Sequence, residues 1–225
     1  MRENFDRCLA EVLRHEGGWS DHPHDPGGAT MKGVTLATYR KWKPGATKDD
    51  LRQITDAELA RIYRAGYWDI VRGDDLPAGL DLVAFDGAVN SGPARGAKWL
   101  QSGLGVTADG KIGPVTISAA HKADPGVAIN RACDARMDFL RSLKTWGTFG
   151  KGWKRRVDSV RATALVMAVP AAPVAPSRPA PKPATPTVKP APYDPPARGT
   201  GSSIPIVLVV GAVIAAVAAA KIFGG

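Results

Sequence analysis

Glu16 and the residues beside it have the character needed for acid-assisted bond cleavage. Glu16 lies four residues after Val12 on the apolar stripe of a predicted helix, so its carboxyl group should face the core, where burial disfavours the charged form. We place it in the last helical turn, where the negative end of the helix dipole also opposes ionisation. Gly17 and Gly18 then leave space for a ligand. A protonated carboxyl group of this kind suits general acid catalysis, as in the cleavage of a glycosidic bond.

The loop after Glu16 supplies a second side for such a site. Asp25 follows Glu16 by nine positions, and the Pro-Gly-Gly run at 26–28 predicts a turn. Thr30 follows that turn and carries a hydroxyl group able to orient water. We therefore expect Glu16 to protonate the leaving oxygen, Asp25 to stabilise positive charge or align water, and Thr30 to help place that water.

The same residues also have simpler interpretations. A Glu near a helix C-terminus is usually a solvated surface residue, and an Asp before Pro-Gly-Gly is usually a turn former. The histidines around Asp25 could indicate a metal peptidase, but the sequence has no His-x-x-x-His pair or comparable ligand spacing. We therefore expect no metal site and no cofactor, while spacing alone leaves the function open.

A long sequence pattern narrows the choice. Residues 15–42, HEGGWSDHPHDPGGATMKGVTLATYRKW, closely resemble the signature of the glycoside hydrolase family 108 muramidases. Further segments are also similar to that family: IYRAGYWD at 62–69, VNSGPARGAKWLQ at 89–101, and LGVTADGKIGPVT at 104–116, which resembles its peptidoglycan-binding region. The resemblance covers about residues 3–165. It implies a lysozyme-like α+β fold, cell-wall glycan as substrate and Glu16 as the catalytic acid.

The resemblance also implies a bond and a way of holding it. A muramidase (lysozyme) hydrolyses the β-1,4 bond between N-acetylmuramic acid and N-acetylglucosamine. Tyr67, Trp68 and Asn90 are candidates for binding the sugar, because aromatic faces stack on pyranose rings and an amide both donates and accepts hydrogen bonds. Two alternatives stay open: a lytic transglycosylase acting on the same bond, and a non-catalytic, membrane-anchored wall-binding protein. An inverting or a retaining outcome is equally open.

Composition divides the chain near residue 169. Residues 1–169 hold all but one of the acids, and residues 170–203 hold eleven prolines, which predict an extended, disordered linker. Residues 204–223 are almost wholly apolar and long enough to predict a transmembrane helix. Within the globular part we expect a lysozyme-like catalytic region at 1–91 and a helical peptidoglycan-binding-like region at 92–169.

Local signals predict that the globular part is mainly helical, with a small β or irregular element near its start. Thr55 begins a capping box, and Pro114 and Pro125 lie in the first turns of two further helices. Cys8 and Cys133 fall among apolar residues of predicted helices. Their positions fit buried thiols, and a disulfide between them stays open.

Net charge and the apolar C-terminal segment suggest partners and a location. The net charge is +9, and such a chain is drawn to polyanions such as nucleic acid, anionic lipid or cell wall. The basic residues are dispersed rather than clustered, so we expect no nucleic-acid binding. The expected location is the bacterial inner membrane, through a single-pass C-terminal anchor, with the domain acting on periplasmic peptidoglycan. This arrangement suggests a phage or prophage-like lysis enzyme with a holin-like release system.

Overall fold

The computed structural model describes residues 4–21 and 28–169, which contain nine α-helices and one three-stranded sheet. The helices are α1 (Asn4–Leu13), α2 (Leu36–Trp42), α3 (Lys48–Arg52), α4 (Asp56–Tyr63), α5 (Leu80–Ser91), α6 (Pro93–Leu104), α7 (Pro114–Lys122), α8 (Pro125–Arg141) and α9 (Trp146–Ala168). The strands are β1 (Trp19–Ser20), β2 (Thr30–Met31) and β3 (Val34–Thr35), paired antiparallel in that order. A π-helical turn, Arg64–Trp68, extends α4, and a 3-10 turn, Gly73–Asp75, follows.

The fold class expected from the sequence requires a correction at its C-terminal end. It included a transmembrane helix at 204–223, which lies outside the described residues together with the expected linker at 170–203. No helix within 4–21 and 28–169 is both long and apolar enough to cross a membrane. Even α9, with 23 residues, carries recurrent charges, among them Lys154 and Asp158. The corrected fold class is a mostly helical domain with a small sheet.

The expected location changes with the fold class. A single-pass inner-membrane anchor is not supported, because it depended on the C-terminal transmembrane helix. The expected holin-like release system depended on the same anchor and is likewise not supported. The described residues belong to one compact unit, and this unit contains the residues that the sequence predicts to be catalytic.

Threonine and aspartate side chains define several helix starts. Thr55 and Thr47 each form a capping box, in which the threonine hydroxyl accepts from an N–H three residues later. In return, the carboxylates of Glu58 and Asp50 accept from the threonine N–H groups. Asp124 caps α8 through its side chain. The predicted capping box at Thr55 is confirmed, whereas the box at Thr47 and the short helix α3 were not predicted.

Helix α5 lies at the centre of the core. Every residue from Leu80 to Val89 is buried, and α5 packs against α1, α6, α8 and α9. Asp86 lies in the middle of this helix and has no exposed surface. A buried carboxylate needs cationic partners and hydrogen bonds, because its own desolvation is costly. Arg136 of α8 and Arg156 of α9 supply them.

The two cysteines are separate buried thiols. Cys8 lies in α1 and Cys133 in α8, and both are free. Burial raises the pKa of Cys133 to about 11 and also raises the pKa of Cys8. Thiols of this kind stay protonated near neutral pH and are poor nucleophiles.

Close contact between α5 and α6 depends on Gly96. A Cβ atom added there would lie 2.5 Å from the backbone nitrogen of Ala88 and 2.7 Å from the carbonyl oxygen of Ala84. We expect Gly96→Ala to force the helices apart and to lower the free energy of unfolding by about 1–3 kcal/mol. Gly152→Ala is the matched control, since Gly152 lies in α9 with no heavy atom within 4 Å of the added Cβ.

Gly152→Ala should raise the free energy of unfolding by up to about 1 kcal/mol, because alanine is the better helix former. Urea denaturation of the two variants measures both effects. Equal changes in the two variants would show that the α5–α6 contact does not restrict residue size at position 96.

Candidate active site

Glu16 is positioned by a turn between α1 and the sheet. Helix α1 ends at Leu13, and the N–H of Glu16 donates to the carbonyl of Leu13 at 3.3 Å. The acid therefore lies just beyond the helix and not in its last turn as predicted. Gly17 follows with a φ of 65°, a left-handed conformation that redirects the chain toward β1. The Glu16 side chain is only 4% exposed, as the apolar spacing of α1 had indicated.

A tight β-hairpin encloses one side of the Glu16 carboxyl group. Lys32 and Gly33 join β2 to β3 with φ values of 46° and 77°, as a type I′ turn requires. A Cβ atom added at Gly33 would lie 2.8 Å from Oε2 of Glu16 and 2.5 Å from the hydroxyl oxygen of Tyr63. Tyr63 donates that hydroxyl to the carbonyl of Lys32 at 2.8 Å, which holds the turn in place. Position 33 therefore requires glycine both for its backbone and for its space.

Two tyrosines lie near the acid. The rings of Tyr63 and Tyr67 are 5.6 Å apart, and both residues come from the end of α4 and its π-helical extension. Burial and, next in size, the charge of Glu16 raise the pKa of Tyr67 to about 12. The same two causes raise the pKa of Tyr63 well above its ordinary value. Both hydroxyl groups therefore stay protonated and can donate hydrogen bonds near Glu16.

A chain of buried charges reaches Glu16 from the C-terminal helices. Arg156 Nη1 lies 2.7 Å from Glu16 Oε1, and Arg156 Nε donates to Asp86 Oδ1 at 2.9 Å. Arg136 Nη1 pairs with Asp86 Oδ2, while its Nη2 donates to Asn90 Oδ1 at 3.0 Å. We call Glu16, Arg156, Asp86, Arg136 and Asn90 the buried charge network. It links the turn after α1 to α5, α8 and α9 through side chains alone.

Asp86 and Arg156 each keep the other ionised despite their burial. Burial alone would raise the pKa of Asp86, but the guanidinium groups of Arg156 and Arg136 outweigh it and hold the pKa below its ordinary value. For Arg156 the balance is the converse. Burial would lower its pKa, and the carboxylates of Asp86 and Glu16 raise it overall. Asp86 and Arg156 are therefore both ionised near neutral pH.

A second buried glutamate lies close by in sequence. Glu11 is 5% exposed, and its Oε1 accepts from the hydroxyl of Ser159 at 2.8 Å. Its Oε2 accepts from Arg14 at 3.0 Å, and His15 Nε2 lies 3.4 Å from Oε1. Glu11 is thus fully engaged by other side chains. The sequence offered one signal for it, the i,i+4 spacing of Glu11 and His15, although His15 lies just beyond the end of α1.

Comparisons with known proteins give matches for both parts of the domain. Two family models match successive parts of the chain: glycosyl hydrolase 108 at residues 9–92 and a predicted peptidoglycan domain at residues 95–158. The solved structure of SagA from Brucella abortus is 44% identical, with a TM-score of 0.67, and the match covers 76% of this chain and 99% of that one. This chain belongs to the glycosyl hydrolase 108 family. A comparison with curated proteins gives no match.

Family membership sets the class of activity. As a glycosyl hydrolase 108 protein, the chain is a lysozyme-like enzyme that cleaves glycosidic bonds of peptidoglycan, and its second region binds peptidoglycan. The family resemblance inferred from residues 15–42 is confirmed. Both arginines of the buried charge network come from the region that matches the peptidoglycan domain, so that region also contacts the candidate acid.

The hydrolase's other predicted site residues have different surroundings. Asp25 lies within 22–27, outside the described residues. Thr30 is half-buried on β2, and its hydroxyl donates to the carbonyl of Gly28 at 3.1 Å. Tyr67 is half-buried near Glu16, and Asn90 ends the buried charge network. Their catalytic and sugar-binding roles remain predictions.

Trp68 belongs to the core and not to a sugar-binding surface. It has no exposed area, and its ring makes edge-to-face contacts with Phe5 and Phe85 at 5.3 Å. Its indole N–H donates to Asp74 at 3.1 Å, so the polar edge is also satisfied inside the domain. A pyranose ring cannot reach a face that is covered by other aromatic rings. The expected sugar contact of Trp68 is therefore corrected to a packing role.

Sequence reasoning missed three members of the network: Asp86, Arg136 and Arg156. Asp86 had a detectable signal, since it is an acid within the otherwise apolar run LVAFDGAV of a predicted buried helix. Neither arginine had one, because nothing in the local sequence distinguishes them from other basic residues of α8 and α9. Among the described residues, no group of three or more His, Cys, Asp or Glu side chains is arranged to hold a metal ion.

The hairpin predicts a specific effect of Gly33→Ala. The added Cβ would displace the Glu16 carboxyl group and the Tyr63 hydroxyl, so we expect peptidoglycan hydrolysis to fall on the order of 100-fold. Gly45→Ala is the matched control. Gly45 has a φ of 79°, close to that of Gly33, but nothing lies within 4 Å of its added Cβ.

Both alanine variants should lose about 1–2 kcal/mol of stability from left-handed strain, whereas only Gly33→Ala should lose activity. Turbidity loss of purified cell wall and thermal unfolding measure the two effects. A similar loss of activity in Gly45→Ala would assign the effect to backbone strain and not to the acid's surroundings.

Proposed function

We propose that this glycosyl hydrolase 108 protein is an N-acetylmuramidase whose general acid is Glu16. The supporting observation is the setting of its carboxyl group, which is 4% exposed and lies between the hairpin turn on one oxygen and Arg156 on the other. In this proposal Glu16 protonates the oxygen that links N-acetylmuramic acid to N-acetylglucosamine. Cleavage of the β-1,4 bond then proceeds through a sugar that carries positive charge.

Asp25 and Thr30 complete the proposed reaction. Asp25 stabilises the positive charge on the sugar or aligns the attacking water, and Thr30 helps to place that water. The Thr30 hydroxyl already donates to Gly28, which leaves its oxygen lone pairs able to accept a hydrogen bond from water. No cofactor takes part in this scheme.

Tyr67 and Asn90 are proposed to hold the glycan. The Tyr67 hydroxyl stays protonated because burial and the charge of Glu16 raise its pKa to about 12, so it can donate to a sugar oxygen. The carbonyl oxygen of Asn90 accepts from Arg136, which fixes the orientation of the amide. The amide nitrogen is thereby directed away from Arg136 as a donor for substrate.

Glu16→Gln tests the role of the acid. Glutamine keeps the size of the side chain but cannot donate the catalytic proton, so we expect lysis of purified wall to fall by at least about 100-fold. Wall co-sedimentation should stay unchanged, and the fall in the thermal unfolding midpoint that comes with loss of the Arg156 contact is compared with the fall in the control. Glu11→Gln is the matched control, because Glu11 is a second buried glutamate of the same segment and is engaged by Ser159 and Arg14.

Glu11→Gln should retain lysis, even where the loss of its ion pair lowers stability. Lysis by Glu16→Gln at the wild-type rate would remove Glu16 from the proposed role. Loss of lysis in Glu11→Gln alone would transfer the role of acid to Glu11.

Product analysis tests hydrolysis of the proposed bond. Mass spectrometry of the released muropeptides should show N-acetylmuramic acid with a free reducing end, because water completes the reaction. Anhydro sugars would instead identify a lytic transglycosylase, and N-acetylglucosamine reducing ends would contradict the choice of bond. The phage or prophage role, in wall lysis or local wall opening, stays a prediction.

A further inference from the structure

Arg156 divides its donors unequally between two carboxylates. Its Nε and Nη2 lie 2.9 Å and 2.8 Å from the same oxygen of Asp86, whereas only Nη1 approaches Glu16, at 2.7 Å. A guanidinium group is a planar, rigid fork. Because Asp86 binds one edge of this fork, it determines the direction in which Nη1 points. Asp86 is itself held by Arg136, so the orientation is fixed from α5 and α8.

Arg156 and Glu16 form a close, buried ion pair. Arg156 Nη1 lies 2.7 Å from Glu16 Oε1, and the Glu16 carboxylate is one of the two that raise the pKa of Arg156. A general acid becomes negative as it gives up its proton, so a cation at this distance stabilises the carboxylate that forms in the transition state.

An uncompensated arginine would also be harmful to a general acid. A cation within about 4–6 Å lowers the pKa of a carboxyl group by about 1–3. A general acid in that position would lose its proton before the reaction. Asp86 reduces this effect, because its negative charge lies as close to Arg156 as Glu16 does. The network thus contains a cation that stabilises the carboxylate formed by the reaction. It also contains an anion that weakens the effect of that cation on the acid before the reaction.

The two tyrosines beside Glu16 do not change charge near neutral pH. The pKa values of Tyr63 and Tyr67 are raised by burial and by the charge of Glu16, so both stay neutral. The hairpin contributes the backbone carbonyl of Lys32. The side chain of Lys32 pairs with Asp56 and not with Glu16. From α1 and its end come Glu11 and His15, which contact each other at 3.4 Å. The arginines stay protonated, and Asp86 stays ionised.

We propose that Arg156 is a positioning residue for the acid Glu16, and that Asp86 sets how strongly the Arg156 charge acts on it. This inference rests on the proposed role of Glu16. It also assigns a second task to the region that matches a peptidoglycan domain: through Arg136 and Arg156, residues 95–158 tune the acid as well as bind the wall.

Two neutralising variants of the full chain should have opposite effects on the pH–rate profile. Arg156→Met removes the cation, which favours ionisation of a carboxyl group beside it, so the alkaline limb of kcat should move upward. Asp86→Asn removes the balancing anion, so the Arg156 charge acts more strongly and the alkaline limb should move downward. We expect each shift to be about one pH unit or more. Release of soluble fragments from labelled peptidoglycan, at constant ionic strength, measures the profile.

Arg156→Lys separates position from charge. Lysine keeps the positive charge but loses the planar fork, so kcat should fall on the order of 100-fold while the alkaline limb stays near that of the wild type. The KM for wall and wall co-sedimentation should not change. If Arg156→Met does not fold, Asp86→Asn and Arg156→Lys still test both parts of the proposal.

Arg161→Met is the matched control for loss of a positive charge on α9. Arg161 pairs with Asp134 and Asn130 and lies outside the buried charge network. Its removal should leave the pH–rate profile and kcat unchanged. A shift equal to that of Arg156→Met would assign the effect to net charge, and would overturn the proposal.

The failure of this inference can be distinguished from failure of the proposed function. If Glu16→Gln retains lysis, the role of the acid is wrong. If Glu16→Gln is inactive but Arg156→Met and Asp86→Asn shift the limb in the same direction, or lower only the unfolding midpoint, the network is purely structural. Opposite shifts, together with a fall in kcat for Arg156→Lys, support the positioning role.

Discussion

Asp86 places a negative charge in the middle of α5, and no part of the Asp86 side chain is exposed to solvent. A buried carboxylate without partners would be strongly destabilising, so the helices packed against α5 have to present cations at that level. Arg136 and Arg156 meet this requirement from α8 and α9. Once Arg156 is oriented by Asp86, its remaining donor points at Glu16. The position of the candidate acid therefore depends on an ion pair formed elsewhere in the core.

This dependence joins two regions that family models describe separately. The glycosyl hydrolase 108 match ends at residue 92, and the peptidoglycan-domain match begins at residue 95. Glu16 and Asp86 belong to the first match, whereas Arg136 and Arg156 belong to the second. Because a buried carboxylate cannot be separated from its cations without a large penalty, the two regions are physically coupled in this chain.

The other side of the acid is shaped by backbone. The I′ turn at Lys32 and Gly33 brings main-chain atoms against Oε2 of Glu16, and the Tyr63 hydroxyl fastens that turn to the end of α4. A larger residue at position 33 would occupy the space of the carboxyl group. One oxygen of Glu16 therefore contacts the charged side chain of Arg156, and the other lies against the backbone of the turn at Gly33.

Local sequence determined the features that depend on neighbours along the chain. The burial of Glu16 followed from its spacing after Val12, and the capping box at Thr55 from a hydroxyl and a carboxylate three residues apart. The family signature at 15–42 was long enough to indicate the class of enzyme, which the family match confirms. These signals are local, because helical periodicity and capping involve residues only a few positions apart.

Tertiary structure alone decided the partners of those residues. The Arg156–Glu16 pair joins the two ends of the domain, and the choice of Arg156 from 30 basic residues could not be made from sequence pattern. Trp68 was equally ambiguous, since an aromatic residue suits a core or a cleft until the rings around it are known. Contacts between distant residues depend on how helices pack, and packing is a property of the whole domain that no single segment encodes.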